Sequence, residues 1–207
     1  MSGTTLVSIT DPSGSATFTV PVEVSAPAYA YPWMVFTGAG TEHLKSDSGT
    51  FGNVGTKWTV AVNFKTTASG SIRVATCKGD GWTIGITATG TPVFALNFGF
   101  GLIPLEDAAI EVNDGDPHLL IATYDVDLEE LRFYVDGVLS PLSPISVGPL
   151  PGNTVGTTDA MRIGRGETAT LPWEGHIGMV AVWPDKAFDD TTAAALGDYS
   201  RAVYGTL

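Results

Sequence analysis

Hydrophobic residues recur at every second position along most of the chain, the period of a half-buried β-strand. Trp58, Val60, Val62 and Phe64 share one side of such a segment, while Thr59, Asn63 and Lys65 take the other. The same alternation returns in Ile72–Val74, Trp82–Ile84–Ile86, Leu131–Phe133–Val135 and Ile177–Met179–Ala181–Trp183. Turn residues separate these runs at Cys77-Lys78-Gly79-Asp80-Gly81, Asn113-Asp114-Gly115-Asp116 and Asp136-Gly137. Glycine supplies the positive φ that tight turns need, and Asp or Asn caps its own backbone. Two stretches, 92–100 and 118–124, are apolar on both faces and predict central strands covered from both sides.

Helical periodicity is confined to the C-terminus. Asp189 or Asp190 is placed to cap a segment in which Leu196, Tyr199 and Val203 fall on one face. The first thirty-odd residues form a separate pattern. Two strand-like runs, 5–10 and 16–24, flank Asp11-Pro12-Ser13-Gly14, a type I turn signal. Phe18, Val20, Val22 and Val24 line one side of the second run. The stretch 25–32, with Pro27 and Pro32 among small residues, then reads as a linker. The pattern predicts an arm and linker over 1–32 and a sandwich over 33–207. An isolated hairpin is marginal in water, so the arm must dock, either on its own sandwich or on the sheet edge of a partner or second copy.

Composition narrows the class. With 43% hydrophobic and 15% charged residues, the 207-residue chain is globular, and a chain this long buries a core without disulfide or metal. Its 25 glycines and 13 prolines punctuate short apolar runs, the habit of an all-β protein. The formal net charge is −12, from 10 basic and 22 acidic residues. Such a surface repels phosphate backbones and anionic lipid, so neither nucleic acid nor membrane is expected as a partner. Cys77 is the one cysteine and reads as a buried thiol. The start, Met1 to Thr5, lacks the basic and apolar regions of a secretion signal, so synthesis and folding in the cytosol are expected.

The stretch 56–64 resembles the early core strand of laminin G-like domains. The segment 113–125, followed by Leu131-Arg132-Phe133-Tyr134-Val135-Asp136-Gly137, resembles that family's signature of a DG turn, a His-led apolar strand and a Tyr-Val-Asp-Gly hairpin. The segments 161–165 and 173–178, with Val182-Trp183, are similar to its closing strands. From about residue 34 the chain thus resembles the laminin G-like and concanavalin A-like lectin/glucanase superfamily, in its pentraxin-like branch. The resemblance implies a two-sheet antiparallel jelly-roll sandwich with one short C-terminal helix.

Candidate chemistry is sparse. Glucanases of the superfamily carry closely spaced carboxylates on one strand, and no such run exists here; Asp125, Asp127, Glu129 and Glu130 fall in a turn between strands. There is no G-x-S-x-G elbow, H-E-x-x-H or P-loop. His43, His118 and His176 have no partner visible in sequence, so no catalytic residue and no cofactor are expected. The resemblance leaves calcium as the one candidate ion, with Asp114, Asp116, Asp125 and Asp127 as oxygen donors and Asp80, Asn113 and Glu167 as further ones. A glycan would need an exposed aromatic platform, for which Trp82, Trp173 and Tyr199 are candidates. The reading that combines these features is a non-catalytic structural or binding protein of a virion, a capsid decoration or tail-associated module anchored by its arm. The alternative is a free or cell-surface lectin-like carbohydrate-binding module. A polysaccharide-cleaving enzyme comes third.

Overall fold

The computed structural model describes residues 4–5, 8–10, 17–19, 28–30, 32–39, 41–47, 49, 53–79, 81–97, 102–147, 159–166 and 171–205. In chain order the first strands are β1 (Thr4–Thr5), β2 (Ser8–Thr10), β3 (Thr17–Thr19), β4 (Ala28–Ala30), β5 (Trp33–Thr37) and β6 (Leu44–Ser46). Next come β7 (Lys57–Lys65), β8 (Arg73–Lys78), β9 (Trp82–Ile86), β10 (Pro92–Asn97), β11 (Leu102–Glu106) and β12 (His118–Asp125). The last are β13 (Glu130–Val135), β14 (Val138–Leu139), β15 (Ile145–Ser146), β16 (Met161–Ile163) and β17 (Glu174–Trp183), followed by helix α1 (Asp190–Tyr204).

The strands form two antiparallel sheets. Sheet A runs β1-β4-β5-β17-β7-β12-β13-β14, with β15 also on β13; sheet B runs β11-β10-β9-β8-β16-β6-β3-β2. Alternation along each strand decides what lies between them. Trp58, Val60, Val62 and Phe64 of β7 join Leu120, Ala122 and Tyr124 of β12 and Phe133 of β13. They pack against Trp82, Ile84, Phe94, Leu96, Met161 and Ile163 from sheet B. Each such side chain contributes about 1.5–3 kcal/mol on burial, and this apolar layer holds the sandwich together. Cys77 is fully buried, its thiol donating to the Arg165 carbonyl oxygen at an Sγ–O distance of 3.5 Å.

Strand β12 is covered on both faces as its apolar run predicts, because Leu119 and Ile121 pack outward under Ala193 and Leu196 of α1. The other such stretch differs. Strand β10 lies between β9 and β11, but outward-facing Val93 and Ala95 are only half-buried, and residues 98–100 lie outside the described residues. The Asp-Gly turn is as expected: Asp136 (φ 55°) and Gly137 (φ 82°) both take positive φ, the geometry of a two-residue type I′ hairpin.

Asp189 is the helix cap, its Oδ1 accepting from the Thr192 amide at 2.8 Å. The inward stripe of α1 corrects the sequence expectation. Ala193, Gly197 and Ser200 are buried, whereas Tyr199 is 57% exposed. The reason is close approach: a Cβ on Gly197 would lie 2.6 Å from the Asp136 carbonyl oxygen. Large residues cannot fit under a helix seated that low, so they are displaced to its flanks.

The N-terminal strands join both sheets. Strands β2 and β3 pair as the expected hairpin, Ile9 opposite Phe18, and β3 continues onto β6 with Phe18 opposite Ser46. Strand β4 pairs with β5 and carries β1 on its other edge. Of the two dockings left open by the sequence, these strands show docking on the chain's own sandwich. Val20, Val22 and Val24 lie outside the described residues.

Candidate functional site

The outer face of sheet A is built in rows, because residues directly opposite in antiparallel strands share a face. One row is Ala181, Ala61, Ile121 and Tyr134, apolar apart from the phenol; the next is Trp183, Thr59, Thr123 and Arg132. The outermost is Lys57, Asp125 and Glu130, all polar. Helix α1 covers the apolar row, and Asn63 Nδ2 donates to Ser200 Oγ at 2.7 Å. The segment leading into the helix covers the threonine row. The Phe188 amide donates to both Thr59 Oγ1 and Thr123 Oγ1 at 3.0 Å. The two hydroxyl protons go elsewhere, Thr59 to the Lys186 carbonyl and Thr123 to the Trp58 carbonyl, each at 2.9 Å. The polar row remains open.

That opening is a small cleft of about 80 Å³ lined by Thr123, Asp125, Leu128, Glu130, Arg132, Phe188 and Asp189, with Ala187 completing its wall. The β12–β13 turn forms its rim. The Asp127 amide donates to Asp125 Oδ1 at 2.9 Å, and Glu129 takes a left-handed φ of 54°. Leu128, 55% exposed, stands on this rim. Arg132 forks onto Glu130 Oε2 through Nε at 3.1 Å and Nη2 at 2.8 Å, and its Nη1 lies 3.4 Å from Asp190 Oδ1. The same Asp190 oxygen accepts from the Tyr134 hydroxyl at 2.9 Å. Burial and Asp190 push that phenol up to about 12. Lys57 Nζ reaches Asp125 Oδ1 at 3.0 Å and Asp127 Oδ2 at 2.5 Å, and these two carboxylates raise its pKa. Asp125, Asp127, Glu130, Asp189 and Asp190 thus face Lys57, Arg132 and, beside Asp189, Lys186, so carboxylates outnumber cations and hydroxyl groups are favoured over anions.

The four calcium candidates do not converge. Asp125 and Asp127 hold the Lys57 ammonium, which stands where a cation would. Asp114 lies at the other end of β12, about 20 Å away at ~3.3 Å per residue. There the carboxylates of Asp114 and Asp136 accept from His118, Oδ1 of Asp114 lying 3.1 Å from Nε2 and Oδ2 of Asp136 lying 2.8 Å from Nδ1. Asp116 turns its amide onto Asp114 Oδ1 at 2.8 Å. Burial opposes a charge on His118, but Asp136 and Asp114 outweigh it and raise the pKa. Asn113 is engaged with the Ala68 carbonyl at 3.2 Å, and Asp80 and Glu167 lie outside the described residues. Among the described residues, no three His, Cys, Asp or Glu side chains form a metal-holding group.

The aromatic platform also needs correction. Trp82 and Trp173 are each 1% exposed. Both rings lie between the sheets, Trp173 4.8 Å from Phe64 and edge-on, so neither offers a face to a sugar. Tyr199 is exposed on α1 away from the cleft residues. Sequence reasoning missed Thr123, Leu128, Arg132 and Asp189 as site residues, since Arg132 reads only as the outward position of a strand. No helix among the described residues is long and apolar enough to cross a membrane.

A two-sheet jelly roll with a C-terminal helix over one sheet defines the class. The chain belongs to the Laminin_G_3 family of the concanavalin A-like lectin/glucanases superfamily, whose profile matches residues 37–191. No curated protein matches the chain. Several solved structures share its fold. A heptameric SAP-like pentraxin from Limulus polyphemus is 12% identical over 75% of each chain, with a TM-score of 0.54. The CBM40 domain of a Ruminococcus gnavus IT-sialidase, solved bound to α2,3 sialyllactose, is 19% identical, covering 70% of this chain and 84% of its own, with a TM-score of 0.56. Domain 4 of AbnA, an extracellular arabinanase of Geobacillus stearothermophilus in complex with arabinotriose, is 13% identical over 89% and 82% of the two chains, with a TM-score of 0.58.

Proposed function

We propose that the chain is a non-catalytic glycan-binding module whose cleft beside the β12–β13 turn receives the hydroxyls of a neutral saccharide. The observation that carries this reading is the uncovered row of Lys57, Asp125 and Glu130, which Arg132 of the neighbouring row reaches through Glu130, beside a sheet face otherwise closed by α1 and the segment before it. Fixed acceptors and a guanidinium next to exposed Leu128 are the polar-plus-apolar mixture that saccharide recognition uses. That an AbnA domain of this fold was solved with arabinotriose agrees with the reading.

Turnover is disfavoured on chemical grounds. A glycosidase needs one carboxyl group that is protonated at working pH. Asp125 and Glu130 are each already engaged in an ion pair, with Lys57 and Arg132 respectively. The virion role expected from the sequence required an arm free to pair with another chain. Strands β1 to β4 pair within this chain, so that role has no supporting observation left.

The test is a glycan array followed by calorimetry on wild type and Arg132→Ala. Wild type should retain neutral oligosaccharides without releasing reducing ends. Losing hydrogen bonds from a charged donor should weaken binding about tenfold or more. Absence of glycan binding, affinity indifferent to Arg132, or measurable hydrolysis would each overturn the proposal.

A further inference from the structure

Glu130, Arg132 and Tyr134 of β13 point the same way, because alternate residues of a strand share a face. Each belongs to a different row of the outer face of sheet A, and their burial differs accordingly. Tyr134 is fully covered, packed with Ile121 and Ala193 beneath α1. The Arg132 and Glu130 side chains are 25% and 28% exposed where they line the cleft. The guanidinium therefore has a neighbour on either side along its own strand.

Both sides hold it. Glu130 Oε2 accepts from Nε at 3.1 Å and from Nη2 at 2.8 Å, while Asp190 Oδ1 takes Nη1 at 3.4 Å. The two carboxylates differ in how they are themselves fixed. Asp190 is the first residue of α1, and its side chain is 66% exposed. A surface ion pair that open must hold two side chains in one geometry against their entropy. Tyr134 supplies the constraint from below, since its hydroxyl donates to the same Asp190 oxygen at 2.9 Å. The tyrosine ring is locked by packing, so its O–H is presented from one place. The buried phenol thus fixes the Asp190 oxygen, and that oxygen fixes the far end of the guanidinium. Neither Tyr134 nor Asp190 lines the cleft.

We propose that Tyr134 and Asp190 are positioning residues for the cleft, acting on a bound saccharide only through Arg132. The inference rests on the reading of the cleft as a saccharide site and adds how its cation is aimed. An unanchored arginine samples many rotamers and loses that freedom when it binds. Of the five N–H groups of a guanidinium, three are already committed to the two carboxylates. The group's plane is thereby set before a ligand arrives, and the remaining donors project in a fixed fork. The start of α1 serves the site twice, since Asp189 lines the cleft and Asp190 holds its arginine.

The experiment is a double-mutant cycle. Calorimetry with arabinotriose, cellotriose, xylotriose and maltotriose as probes compares wild type, Tyr134→Phe, Arg132→Ala and the double variant. The probe that wild type binds should lose about two- to tenfold in affinity on Tyr134→Phe, the worth of one neutral hydrogen bond. In the Arg132→Ala background the same change should have no further effect, because nothing is left to aim. Asp190→Ala, which leaves the ring packing in place, should weaken binding at least as much as Tyr134→Phe. NMR supplies a readout without sugar: the Arg132 Nε–H should exchange with water severalfold faster in Tyr134→Phe and Asp190→Ala than in wild type. A Tyr134→Phe protein that binds like wild type, equal losses in both backgrounds, or unchanged Nε–H exchange would each overturn the proposal. Should no probe bind, the saccharide reading falls, and the Nε–H exchange alone decides whether Tyr134 and Asp190 hold the guanidinium.

Discussion

Replacing Gly197 with alanine sets two opposing effects against each other. In an exposed helix the change is stabilising by about 1 kcal/mol, because glycine loses more backbone entropy than alanine. Here the new Cβ would sit 2.6 Å from the Asp136 carbonyl oxygen and 2.9 Å from Gly137 Cα. Both obstacles are backbone, and neither can swing away. Ordinary contact begins near 3.4 Å, so the helix must rise by about 0.8 Å. Overpacking of this kind costs about 1–3 kcal/mol. The shift also stretches the Arg201–Asp136 and Asn63–Ser200 hydrogen bonds, now 2.9 and 2.7 Å, each worth about 1 kcal/mol. The net expectation is a loss of about 1–3 kcal/mol, a fall in Tm of about 2–12 °C for a chain of this size. Differential scanning calorimetry measures it, with Ala195→Gly on the exposed side of α1 as the control for propensity alone. A Gly197→Ala protein that melts above wild type would refute the close seating of the helix.

Three further outcomes follow from the same contacts. Thr123→Val keeps the side-chain shape but removes an acceptor of the Phe188 amide and a donor to Trp58; the urea midpoint should report a loss of about 1–3 kcal/mol. Asp189→Ala removes the α1 cap and should cost about 1 kcal/mol, while Asp189→Asn should retain most of it. The two buried-end histidines give opposite pH slopes. His43 titrates near 4 when folded and near 6.5 when unfolded, so stability is whole above about 6.5 and falls by up to about 3 kcal/mol towards pH 4. His118 has a raised folded pKa, so its contribution is whole below about 6.5 and is lost as pH rises through the folded value. Tm measured against pH should therefore flatten between about 6.5 and 4 in His43→Gln, and lose part of its decline on the alkaline side in His118→Gln.

The long central strands were legible because each carries its own instruction. Alternation over 57–65, the apolar run over 118–124 and the Asp-Gly turn at 136–137 are local patterns, and local patterns survive folding. The helix was legible in its cap and not in its face. Hydropathy points to the large residue, Tyr199, whereas packing two backbones together selects Ala193, Gly197 and Ser200 for their small size. Trp82 and Trp173 sit next to turns in sequence, yet their ring area is what fills the space between the sheets. The cleft was hidden because Arg132 and Asp189 meet only when the segment before α1 docks on sheet A. The pairing of Lys45 with Arg162 was hidden more deeply still, since these cross-strand partners are more than a hundred residues apart.

Strand order within sheet A has a consequence for how the protein is made. Strand β17 lies between β5 and β7, so a strand near the end of the chain sits at the centre of the sheet. As the chain leaves the ribosome, β5 and β7 are both out long before their shared neighbour exists. Their facing edges expose unpaired amides and carbonyls, and the apolar side of β7 has no completed lid, for about ten seconds at ordinary elongation rates. Nascent chains halted before residue 174 are thus the species most prone to recruit a foreign strand, and the natural place for a chaperone to act is that gap.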